Sequence, residues 1–425
     1  MTSETAEMQF GLKLGLATLI LTAVAGAVSA QIMGPEIPIW VNPVESYQPE
    51  VAFSPLHEEF LVVWHNIQGP DSSDVYARRI GVDGTPGSWF SVFAIAGEEH
   101  RYPSVAFNNV RDEYLVAWEF EYGAGDLDIL GAIVTWDGST VGSPFFINSD
   151  PGYQAEPDLA FNPIDDEYLV VYTNAWASGL IDVAAQRVDG DGTLLSWANI
   201  ASSAGAQRRS PTVAFSPEMD SYLIGYSSIP VSVGGWDVVG KLAAADLAGV
   251  SIAPEIVIVD DAGEDASNPA VAASADGFIA QYNLRIDSRA RRLAGDGTPL
   301  GPADGFPLGN QNGIGMGYPI QANAVARADA IGFVSAWHQY EPMGAVDVYA
   351  QAVSPHSDVV LSSPLPVAVG PAASMNVDIA CAPWGTCLVV YESGNNIAGR
   401  IVNFNIFGDG FETGDTRYWT STAPY

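Results

Sequence analysis

Short apolar runs separated by polar turns recur along the chain, and they return at a fixed interval. PEVAF begins at Pro49, PSVAF at Pro103, PDLAF at Pro157 and PTVAF at Pro211, so successive copies are 54 residues apart. Degraded copies follow as PAVAA at Pro269, NAVAR at Asn323 and VDIAC at Val377, making seven units. In every unit a second apolar segment ends in an aromatic residue: Trp64, Trp118, Tyr172, Tyr226, Tyr282, Trp337 and Tyr391. A third segment opens on Asp74, Asp128, Asp182, Asp237, Asp287, Asp347 or Asn396, and a weaker fourth, such as SPFFIN from Ser143, closes the unit. Runs rich in Val, Ile, Tyr, Phe and Trp, bounded by Asp-Gly and Asn-containing turns, predict antiparallel strands. No helical hydrophobic period interrupts them.

Four strands per unit and seven units predict an all-β chain folded as a seven-bladed β-propeller of four-stranded antiparallel blades. A β-solenoid or tandem sandwiches are the rivals, but 54 residues is long for a solenoid coil and short for a sandwich. The seventh unit lacks a fourth strand after Ile397–Asn403, while IPIWVN, residues 37–42, precedes the first unit and matches the fourth-strand pattern. The N-terminal strand is therefore expected to complete the last blade and close the ring, removing a hazardous open edge. The pattern P-x-V-A-F-N, E-Y-L-V-V-W, D-V-Y-A-R-R resembles the propeller-type repeats of large secreted bacterial proteins, a resemblance that covers roughly residues 37–403 and implies the fold without any single activity. The segment IFGDGFETGDTRYW, residues 406–419, resembles a C-terminal tail on secreted proteins of Gram-negative bacteria.

Charge narrows the partners. Fifty acidic against 16 basic residues give a net charge of −34, which repels nucleic acid and anionic membranes alike. Lys13 precedes the apolar run LGLATLILTAVAGAV and the small residues Val28-Ser29-Ala30, the pattern of a secretory signal peptide over residues 1–30. An uncleaved anchor is the alternative. A propeller over residues 31–404 and a tail over 405–425 are then expected, in a secreted monomer placed outside the cytoplasm of a Gram-negative bacterium and without a membrane span after signal cleavage.

Alignment of the units places Cys381 where Phe53, Phe107, Phe161 and Phe215 stand, and Cys387 where Phe60, Tyr114, Tyr168 and Tyr222 stand. A cross-strand aromatic pair is thus expected to become a disulfide in the closing blade. No His or second Cys pair stands near to make a metal site. No cofactor is expected; Asp189 and Asp191 have the spacing of a small calcium loop but sit in a sequence that reads as a hairpin turn.

Antiparallel order brings the residues after the second-strand aromatic to one mouth of the ring: His65, Glu119, Thr173, Ser227, Asn283, His338 and Glu392. Residues entering the first strand reach the same face, among them Tyr47, His100, Arg101, Gln154, Glu156, Arg208, Arg209, Gln321 and Asn376. From these, His65, His100, Arg101, Glu119, Glu156, Arg208, Arg209, His338 and Glu392 are the ligand-binding candidates, set against the plain reading that strands emerging into water end in polar residues. The Asp opening each third strand recurs too regularly for a catalytic set and is read as structural. No P-loop or G-x-S-x-G elbow is present. The first expectation is therefore a non-catalytic binding or protein-interaction module with a glycan or protein ligand. The alternatives are a carbohydrate-active enzyme of glycoside hydrolase or lyase type, with Glu119, Glu156 or Glu392 as acid, base or nucleophile, and a structural envelope component.

Overall fold

The computed structural model describes residues 32–404, apart from 70, 122–124, 177–180, 203–204, 231–233, 245–253, 260–264, 286, 310–322, 341–344 and 371–372. The expected signal peptide, the C-terminal tail and Gln321 lie outside the described residues. Among the described residues every regular element is a strand.

Each unit begins with a hairpin whose register is set by side chains facing across it. Phe53 lies opposite Phe60, Phe107 opposite Tyr114, Phe161 opposite Tyr168 and Phe215 opposite Tyr222. Their ring centroids are 5.0, 4.8, 5.1 and 4.7 Å apart, within the range of favourable aromatic pairs. In the seventh unit the same register places Cys381 opposite Cys387, and the two form a disulfide, as the alignment expects. The bridge closes a short loop, so replacing both cysteines with serine is expected to lower stability by only about 1–2 kcal/mol, measurable by denaturant titration.

The strands then add outward. In the second unit Glu99–Asn108, Glu113–Glu121, Leu127–Thr135 and Phe145–Asn148 pair in sequence order, all antiparallel. The first three units are joined through single parallel pairs, Ser73 with Glu99 and Leu127 with Tyr153, so they form one extended sheet; the units that follow form separate four-stranded sheets. The strand Ile32–Trp40 pairs antiparallel with Asn396–Asn403 and supplies the fourth strand of the sheet built from Ser374–Cys381, Thr386–Ser393 and Asn396–Asn403. Inner strands of consecutive units pack side by side, and Ser374–Cys381 also packs beside Ser46–Ser54.

The core lies between sheets. The aromatic residue ending each second strand, Trp64 through Tyr391, is buried, because the pleat directs these rings into the interface with the preceding unit, the seventh in the case of Trp64. Around Trp64 the cluster joins Ile37 and Ile39 to Val51, Phe60 and Ile80 of the first unit and to Leu388, Val390 and Ile401 of the seventh. Asp189 and Asp191 belong to a hairpin turn: Thr193 N donates to Asp191 Oδ1 at 2.9 Å, and Gly192 takes φ +89°, a value that favours glycine.

Candidate active site

The repeated proline has a local cause. In the inner hairpin the ladder register breaks between Tyr47 and Glu50, Arg101 and Ser104, Ala155 and Asp158, Arg209 and Thr212, Ser267 and Ala270, and Met375 and Asp378. Each break is a bulge, and at the first five a proline without an N–H leaves no ladder bond unmade, while Val377 takes that place in the last. The residue before it is left-handed: φ is +53° at Gln48, +49° at Tyr102, +54° at Glu156, +50° at Ser210, +51° at Asn268 and +49° at Asn376. That turn directs its own N–H away from its sheet, so the donor needs a partner from elsewhere.

Three members of the ring of polar residues supply it. Glu392 Oε1 accepts from Gln48 N at 2.8 Å, Glu119 Oε1 from Glu156 N at 2.6 Å, and Ser227 Oγ from Asn268 N at 3.1 Å. Between these, Glu156 Oε2 accepts from Ser210 N at 2.8 Å and from the Thr173 hydroxyl at 2.7 Å. Three of the candidate residues, Glu119, Glu156 and Glu392, therefore staple one unit to the backbone of the next. Their ring does not emerge into water: His65, Glu119, Thr173, Ser227, Asn283, His338 and Glu392 are all at most 4% exposed. Burial pushes Glu119 up to about 8 and raises Glu392 as well, opposed by the hydrogen bonds they accept.

The remaining candidates are dispersed. Burial lowers His65 to about 3, and His100 and His338 to about 4, so all three are neutral at physiological pH. His100 accepts from Trp118 Nε1 at 3.0 Å and lies between the rings of Phe93 and Phe120. Arg101 is paired with Glu99 and, at 4.0 Å, Glu121. Arg208 is buried with its Nε 3.5 Å from Glu255. Arg209 is exposed at the mouth, beside Tyr153.

A cavity of about 410 Å³ is lined by inner strands from every repeat, and of the candidate residues only Glu156 contributes to its wall. The other titratable side chains on that wall are Glu50, Asp158, Asp378 and Tyr102; no Lys, Arg or His is among the described lining residues. Glu50, Asp158 and Asp378 occupy the second position of the P-x-V-A-F motif in units one, three and seven, where Ser104, Thr212, Ala270 and Ala324 stand in the others. Sequence reasoning missed them, although three acids at an otherwise small-residue position were the visible signal.

These acids differ in environment. Asp158 Oδ2 accepts from Val213 N at 2.8 Å and its Oδ1 from Leu159 N at 2.8 Å and Ser104 Oγ at 3.3 Å. Asp378 Oδ2 accepts from Val51 N at 2.8 Å. Glu50 is hydrogen-bonded to Asp378, and its pKa is raised furthest, by burial first and then by the charges of Asp378 and Asp158. Burial raises Asp378 and Asp158 too, but backbone N–H groups favour their ionised forms. Burial and the neighbouring charges thus favour the protonated form of Glu50, whereas the N–H groups of Val51 and Ile379 favour the ionised form of Asp378.

Two solved structures share this architecture over nearly their whole length. An α-L-arabinofuranosidase of Fusarium graminearum in complex with an iminosugar inhibitor superimposes with a TM-score of 0.52 at 12% identity, covering 88% of this chain and 99% of that one. An α-L-arabinanase of Penicillium chrysogenum complexed with arabinobiose gives 0.51 at 11% identity, covering 87% and 98%. The chain has a propeller-like all-β fold. No protein-family model matches its sequence, and no curated protein does. The expectation of a non-catalytic binding or interaction module is corrected by these neighbours, which are carbohydrate-active hydrolases; so is the leaning against an enzyme. At such identities the likeness carries the fold alone.

Proposed function

We propose that the protein is a glycoside hydrolase whose reaction centre is the cavity wall formed by Glu50, Asp378 and Asp158. The observation that carries this reading is the convergence of three carboxylates from different repeats on one cavity, where burial first, and then the charges of Asp378 and Asp158, raise the pKa of Glu50 well above the usual carboxylate range. Environments that push carboxyl pKa values apart make an acid and a base from the same chemistry. Glu50 would donate its proton to the glycosidic oxygen as the bond to the anomeric carbon breaks. Asp158 would take a proton from the water that adds to that carbon, and Asp378 would orient Glu50. The wall's acidic lining suits the positive charge of an oxocarbenium-like transition state, and the volume is within the usual range for ligand sites.

The neighbours make arabinofuranosyl glycans the first substrate class to assay. Reducing-sugar release from arabino-oligosaccharides or an aryl arabinofuranoside is expected; no release from these or from aryl pyranosides at any pH would overturn the reading. Its pH profile is expected to be bell-shaped. Activity rises with pH as Asp378, raised to about 6, and Asp158 lose their protons, and falls at higher pH where Glu50 loses its own. A profile flat across the region near 6 would exclude the pair from the reaction.

The scaffold belongs to the same proposal: a ring of seven blades over residues 31–404, closed by the N-terminal strand. The pairing of Ile32–Trp40 with Asn396–Asn403, and the packing of Ser374–Cys381 beside Ser46–Ser54, support it. Kinship with the secreted bacterial repeat proteins, a signal peptide over 1–30 and an extracytoplasmic location are proposed with it, supported by the disulfide, a bond that persists in oxidising compartments.

A further inference from the structure

One residue at the mouth is not explained by its place in the repeat. The described counterparts of Tyr102 at the left-handed bulge position are Gln48, Glu156, Ser210, Asn268 and Asn376, all polar and none aromatic. A bulky ring at φ +49° is uncommon for an L residue. Nor does burial account for it, since Tyr102 is 41% exposed while lining the cavity.

Its neighbours continue the surface. The His65 ring lies 6.2 Å from Tyr102 and 5.8 Å from Tyr47. On the other side Tyr153, also 41% exposed, lies close enough for its phenol to feel Tyr102, Glu119, Glu156 and Arg209. This arc runs over units one to three. Glu50 follows Tyr47, Ser104 follows Tyr102 and Asp158 follows Tyr153 down the same inner strands, so the rings stand above the stretch of wall between the proposed acid and the proposed base.

We infer that Tyr102, with Tyr153 beside it, is a stacking subsite for the sugar ring adjoining the one cleaved, in a neutral glycan at least two rings long. The apolar C–H face of a sugar lies on an aromatic ring, and the Arg209 guanidinium supplies donors to its hydroxyls. This inference rests on the glycosidase reading of the cavity below.

Tyr102→Asn is the test, because asparagine already occupies the equivalent left-handed position at Asn268 and Asn376, and so keeps the bulge. An arabinotriose and a single-ring aryl arabinofuranoside are compared in kcat and KM. Arabinotriose binding is also measured by calorimetry on the Glu50→Gln protein with and without Tyr102→Asn. The expected result is about a tenfold loss of trisaccharide affinity, appearing in KM with kcat little changed and with the single-ring substrate unaffected. Equal losses on both substrates, or trisaccharide binding indifferent to Tyr102, would overturn the subsite. Hydrolysis with binding indifferent to Tyr102 removes the subsite and leaves the cavity reading intact. Trisaccharide binding that depends on Tyr102 in a protein that hydrolyses nothing does the reverse.

Discussion

Replacing Glu50 with glutamine is expected to lower kcat by about a thousandfold, the upper-middle range for loss of a positioned general acid. The variant isolates the proton. Glutamine keeps the length of the side chain, and its amide N–H can still donate to Asp378, so the cavity wall and the bond from Val51 N to Asp378 should be preserved. Trisaccharide binding and the melting temperature are expected to stay near those of the parent. A useful contrast is Glu392→Gln, which alters the carboxylate that accepts from Gln48 N and from Asn376 Nδ2 at 2.6 Å. That change should lower stability while leaving kcat of the folded fraction nearly unchanged, because Glu392 is not on the cavity wall. Were Glu50→Gln to retain activity while Glu392→Gln lost it, the acid would have been placed on the wrong ring of carboxylates.

The two rings were unequally legible in the sequence, for a physical reason. Hairpin pairs such as Phe107 with Tyr114 repeat because every sheet needs them, and the exact period exposed both the strands and the cysteine pair that substitutes for them. The polar ring from His65 to Glu392 was found by the same periodicity, but its purpose was hidden. Glu119, Ser227 and Glu392 satisfy the N–H of a left-handed residue in the next unit, a demand created by tertiary placement rather than by any local pattern. Glu50, Asp158 and Asp378 went unnoticed because self-comparison rewards constancy, and their position varies among Glu, Ser, Asp, Thr and Ala. A repeat scaffold spends its constant positions on packing. Unlike groups brought together at one cavity must then come from positions where the copies differ, and a period displays only the positions where they agree.

Ile39→Ala is expected to cost about 3 kcal/mol, the usual scale for truncating a fully buried isoleucine. Where that cost is felt tests the closure of the ring. Ile39 lies on the strand Ile32–Trp40, yet its cluster includes Phe60 and Ile80 of the first unit as well as Leu388 and Ile401 of the seventh. Ile147 holds the corresponding place on the fourth strand of the second unit, 2% exposed, with both strands breaking register next to it. Its cluster joins Leu115 to Tyr168 and Val170, which belong to adjacent units in the chain. Truncating Ile147 should therefore loosen neighbours that remain covalently continuous. Truncating Ile39 should loosen two units more than 300 residues apart in sequence, such as Phe60 and Ile401. Amide hydrogen exchange is expected to rise in both the first and the last repeat of the Ile39→Ala protein, with the middle repeats still protected. Faster exchange confined to the first repeat, or a cost well under about 1 kcal/mol, would mean that the N-terminal strand does not latch the ring.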